Sequence, residues 1–142
     1  MNPHDLEKYA FLWSEVRLVI AGIALVLGGI PPIFLILPGA YGLTAPLLKL
    51  CWIISGVAVA YLAWRWYDKK MHVFGGKDNT DSIAFAVMIV TGLNLGLTGL
   101  TSNNIGMSII GGRVVFFVVG LLYFWVAYHL YNRWKKSGKR VF

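Results

Sequence analysis

Within the apolar stretches of this chain, few side chains are able to do chemistry: Asn94, Thr91, Thr98, Ser55 and Cys51. An amide or hydroxyl in hydrocarbon must find partners inside the protein, so Asn94, with Thr91 and Thr98, is expected to tie helices together or to line a path for a solute. Glu15 and Arg17 stand at the inner end of the first stretch. At the interface, Glu15 would pair with a cytoplasmic cation such as Arg65 or Arg133. Drawn about one turn into the membrane by a first helix that stops at Pro31, it would instead be a proton- or cation-coupling carboxylate. Lys49 and Arg113 take equivalent places at the outer mouth, where they either snorkel to phosphates or form a basic vestibule favouring anions. On these spans the outer and inner basic residues are 16 apart. That is a rotation of about 160°, so no single helix carries a continuous charged stripe.

Other chemistries lack their residues. His72, Asp78 and Asp81 have no recognised metal-ligand spacing, and His129, alone at an aromatic-rich helix end, is expected to be an interfacial anchor. No G-x-S-x-G, H-E-x-x-H, C-x-x-C, P-loop or G-x-G-x-x-G pattern occurs, and no intramembrane pair of carboxylates is present for acid/base work. The sequence therefore points to no catalytic residue, no metal and no cofactor.

The elements that must position these groups are set by composition. Of 142 residues, 58% are apolar before the 16 glycines are counted and 13% are charged, which excludes an ordinary soluble domain. Thirteen Lys and Arg against six Asp and Glu would suggest nucleic acid in a soluble protein, but here the cations bracket long apolar runs. The class is a small polytopic membrane protein, with no nucleic-acid partner expected.

Charge-free stretches of 31 residues lie between Arg17 and Lys49 and between Asp81 and Arg113. As unbroken helix each would run about 46 Å against a hydrocarbon core of about 30 Å, so each is a span plus something else. Gly28-Gly29-Ile30-Pro31-Pro32 signals a kink or break in the first, and Thr101-Ser102-Asn103-Asn104 a turn in the second. The expected spans are 15–37, 45–67, 82–101 and 112–132, in a single all-α domain, an antiparallel four-helix bundle. Eleven of the thirteen cations then fall on one side, with only Lys49 and Arg113 opposite. The positive-inside rule places both termini in the cytoplasm of a cell whose plasma membrane or bacterial inner membrane holds the protein. The basic tail, 133–142, is expected to meet anionic lipid.

Charge spacing repeats at an offset of 64: Arg17 with Asp81, Lys49 with Arg113, Arg65 with His129, Lys69 with Arg133. That spacing suggests two similar hairpins related as parallel repeats. Small residues supply the helix contacts that lipid cannot drive by hydrophobicity, among them Gly28 on the first span and Gly92-x-x-x-Gly96 on the third. The expected function is a homo-oligomeric channel or small-solute transporter, with the route between protomers. Its rival is a non-catalytic accessory or structural subunit whose glycine faces dock a larger membrane complex.

Overall fold

The computed structural model describes residues 2–109 and 111–142, which form helices and turns without a strand. Four long helices, α1 (Pro3–Val26), α3 (Tyr41–Asp68), α4 (Asn79–Thr101) and α6 (Arg113–Lys136), are each long and apolar enough to cross a membrane. Two short helices, α2 (Pro32–Ile36) and α5 (Ile105–Ile109), follow α1 and α4.

The first helix departs from the expected 15–37. It begins at Pro3, whose missing donor costs nothing in a first turn, behind the capping side chain of Asn2. It ends at Val26 because Gly28 and Gly29 both take positive φ, 86° and 90°, and their N–H groups cap the carbonyls of Leu25 and Ala24. The break is complete, and α2 is a separate turn of helix beyond it.

The long helices form a ring in the order α1, α3, α4, α6, with α1 and α4 also touching across the middle and α3 and α6 apart. The two closest pairs are α3 with α4 and α1 with α6. Each pair closes on a glycine crossing. A Cβ on Gly96 would stand 2.6 Å from the Cα of Gly56, and one on Gly120 would stand 2.9 Å from the carbonyl oxygen of Gly22. Gly92 and Gly99 extend the first seam against Val59 and Ile53. In lipid, such backbone approach supplies the dispersion contacts that hold helices together.

The two halves make equivalent contacts, but not at one offset of 64. Glu7 of α1 bonds Arg65 of α3, and Asp81 of α4 bonds Arg133 of α6. Phe11 packs on Phe74 and Trp134, and Phe85 packs on Phe142 and Trp66, with ring centroids 5.4–5.7 Å apart. The pairing follows an offset of 74 in the odd spans, Glu7 to Asp81 and Phe11 to Phe85, and of 68 in the even spans, Arg65 to Arg133 and Phe74 to Phe142. Six extra residues between α1 and α3, in the segment that holds Gly28 to Pro32, account for the difference.

The chain turns back identically after α3 and α6. Met71 N–H reaches Trp66 O and Lys139 N–H reaches Trp134 O, each at 2.9 Å, through left-handed pairs Lys70-Met71 and Gly138-Lys139. Phe74 N–H then bonds Val141 O at 2.8 Å, joining the two turns under the bundle. The basic tail, 133–142, is folded against the bundle: α6 runs on to Lys136, Val141 is buried and Arg133 is engaged by Asp81.

The fully buried side chains, among them Phe11, Leu18, Leu62, Phe85, Met88 and Leu130, fill the half of the bundle that carries both termini. Toward the far end, α3 and α6 expose Leu43, Leu47, Val114 and Val118, a surface suited to lipid. Gly96→Ala is expected to destabilise the bundle by about 1–3 kcal/mol through overpacking against backbone. Gly42→Ala, where a Cβ meets nothing within 4 Å, should change little. Unfolding midpoints in mild detergent check the contrast.

Candidate functional site

Two ionic clusters tie the helices together at the terminus-bearing end. Glu7, buried, accepts from Arg65 Nε at 2.6 Å, and Arg65 also reaches Asp68 at 3.0 Å. Asp81, 1% exposed, accepts from Arg133 Nε at 2.7 Å and stands 2.8 Å from His129 Nε2, whose ring stacks on Trp125. His129 is thus held against Asp81 rather than standing as a free interfacial anchor. Asp81 is free for this because Asp78 caps α4, accepting from the N–H groups of Thr80 and Asp81 at 2.8 and 3.1 Å. Those N–H groups, Asp81's first, hold the Asp78 carboxyl below the ordinary carboxylate range.

Arg65 and Arg133 are therefore occupied, and Glu15 pairs with neither. Because α1 starts at Pro3 and stops at Val26, Glu15 and Arg17 sit near the middle of the helix instead of at its inner end. Arg17 lies ten residues beyond Glu7, about 15 Å along the axis. Both residues are buried, and they lie further from the first turn of the helix than a span starting at residue 15 would place them.

Two positions apart on a helix, they point about 160° from one another and enter different environments. Arg17, 7% exposed, crosses to α4, donating from Nη2 to the carbonyl oxygen of Met88 at 2.8 Å and from Nη1 to Thr91 Oγ1 at 3.2 Å. Thr91 Oγ1 in turn donates to Val87 O at 2.7 Å. The Nε of Arg17 has no partner among the described residues. Glu15, 6% exposed, faces the seam between α1 and α6. It lines an open groove of about 440 Å³ with Leu12, Val16, Phe124, Tyr128 and Tyr131, and its Oε1 finds no hydrogen-bond donor among the described residues.

The remaining expected residues are dispersed. Asn94 makes no bond to another long helix. Its Nδ2 donates to Asn104 Oδ1 at 2.8 Å and its Oδ1 accepts from Gly106 N–H at 3.0 Å, fastening α5 against α4. Thr98 Oγ1 donates to Asn94 O within the same helix. Gly92 and Gly96 serve the seam with α3, and Gly28 terminates α1 with nothing near it. Lys49 donates to Ser102 at 2.7 Å, linking α3 to the end of α4. Arg113 opens α6, which makes no contact with α3, so within one chain Lys49 and Arg113 do not share a vestibule.

Of the expected residues, Thr91 meets Arg17 beside the middle of α1, while Glu15 faces the other way, into the α1/α6 seam. Sequence reasoning passed over Arg17 because it was counted with the inner cations. The signal that could have found it was the glycine pair: counting about 20 residues back from the break at Gly28 puts both charges inside the span. Among the described residues no group of His, Cys, Asp and Glu is arranged to hold a metal ion.

Arg17 is expendable to the fold in a way Thr91 is not. With Arg17→Leu, Thr91 Oγ1 keeps Val87 O as a partner, so stability should be unchanged or raised. Thr91→Val strips an acceptor from a buried guanidinium and should cost about 1–3 kcal/mol, a loss that vanishes in the Arg17→Leu background. A double-mutant cycle in detergent reads this directly. No known protein family, characterised protein or solved structure matches the chain.

Proposed function

We propose that the protein is a homo-oligomeric small-solute transporter of a plasma or bacterial inner membrane, with both termini cytoplasmic, in which Glu15 binds and releases a proton or cationic solute. The observation that carries this reading is a buried carboxylate at mid-span whose Oε1 lacks a donor and which lines a groove open at the side of the bundle. A lone carboxylate there is costly and is retained where it exchanges a cation. The rings of Phe124, Tyr128 and Tyr131 beside it offer π faces, which favour positive charge.

Packing argues for a carrier between copies rather than a pore through one. Both glycine seams are closed to backbone contact and the middle is filled by Leu18, Met88 and Val126. A route past Glu15 therefore runs along the α1/α6 seam, and a second copy laid over that groove would screen it from lipid.

Uptake of tetraphenylphosphonium into proteoliposomes under an imposed pH gradient tests the reading. The wild-type chain should accumulate the cation, and Glu15→Gln should fall at least about tenfold toward the lipid background while keeping its oligomeric state. Equal uptake by both proteins would remove Glu15 from the mechanism. No uptake by either would favour an accessory subunit.

A further inference from the structure

The two halves of the bundle repeat one another closely enough that each serves as a control for the other, and one departure stands out at the terminus-bearing end. Beneath the Glu7–Arg65 pair lies an open pocket of about 440 Å³ lined by His4, Glu7, Arg65, Lys69, Arg140 and the ring of Phe142. Glu7 is satisfied by Arg65, whereas Lys69 and Arg140 are exposed and make no ion pair among the described residues. Offsets of 74 and 68 carry these six positions onto Asp78, Asp81, Arg133, Ser137, His72 and Phe74. The aromatic ring and the carboxylate–guanidinium pair persist. The extra cations do not: Lys69 becomes Ser137, Arg140 becomes His72, and Asp78 stands where His4 was.

The same carboxylate–guanidinium pair and the same aromatic packing thus form without Lys69 or Arg140, so neither requires their charge. Their placement has a second feature. The pocket opens beside the first turn of α1, whose dipole adds positive potential. From the geometry we infer that this pocket binds the phosphate of an anionic phospholipid headgroup in the leaflet next to the chain termini, with Lys69 and Arg140 as its charge partners. A lipid rather than a soluble phosphate is favoured because the pocket lies at one end of four helices long and apolar enough to cross a membrane, the end where α3 and α6 also carry Trp66, Tyr67, Tyr131 and Trp134. The site is independent of the Glu15 groove, which lies on the α1/α6 seam.

Native mass spectrometry of the full chain released from nanodiscs of phosphatidylcholine with phosphatidylglycerol tests this. The test substitutions are Lys69→Ser and Arg140→His together, which install the residues the other half already carries. The control is Lys135→Gln with Lys136→Gln, removing two cations at the same end but outside the pocket. The wild type should retain phosphatidylglycerol preferentially. The Lys69/Arg140 variant should lose that preference by about tenfold or more, and the control should keep it, with unfolding midpoints of all three alike. Equal losses in both variants would mean diffuse surface attraction, and no loss in the Lys69/Arg140 variant would leave the pocket without a role; either overturns the inference. Displacement of the lipid by millimolar glycerol 3-phosphate would overturn its lipid assignment in favour of a soluble phosphate.

Discussion

Two contacts of backbone on backbone, Gly56 with Gly96 and Gly22 with Gly120, constrain everything else in this molecule. Helices in lipid gain nothing by escaping water, so association rests on how closely their atoms approach, and a side chain at any of these positions would hold the axes apart. With both seams shut, neither the α3/α4 pair nor the α1/α6 pair leaves a gap between its helices at the crossing. The same closure decides where polar groups go. Arg17 is pressed against α4 and must use Met88 O and Thr91, whereas Glu15 emerges on the side of the α1/α6 seam. The different surroundings of these two charges are a consequence of packing before they are a matter of chemistry.

The internal repeat supplies the frame and its departures supply the candidates. Glu7–Arg65 and Asp81–Arg133, with the aromatic pairs around Phe11 and Phe85, are the contacts that the two halves share. At the same offset the counterpart of Glu15 is Ile89 and that of Arg17 is Thr91, its own hydrogen-bond partner. The second half thus stabilises the same architecture with no charge at mid-depth. Burying Glu15 and Arg17 in the first half costs desolvation that the fold has shown it can avoid, and this is why the transport reading rests on them.

Much of the fold was legible. Hydropathy and cation spacing are properties of the whole chain, and they gave four crossing segments and an asymmetric charge distribution without knowledge of any contact. The Gly92-x-x-x-Gly96 face was legible for the same reason, since small residues four apart lie on one side of a helix. The register of α1 was not, because Asp5, Glu7 and Glu15 read as water-facing until Glu7 is seen buried against Arg65. A single offset of 64 hid the repeat, since the six-residue excess between α1 and α3 splits it into 74 and 68. The basic tail concealed the Val141-Phe142 anchor that folds it under the bundle. Each miss was a tertiary partner that one-dimensional spacing does not record.

In the proposed function this chain works as an assembly of its own copies, with the Glu15 groove at their boundary. Mass measurement of the complex extracted together with its native lipid tests that most directly, because stoichiometry is read without knowing the solute. A carrier built between protomers requires a discrete homo-oligomer containing this chain alone. A single copy held by a different protein would contradict it and make the chain an accessory subunit.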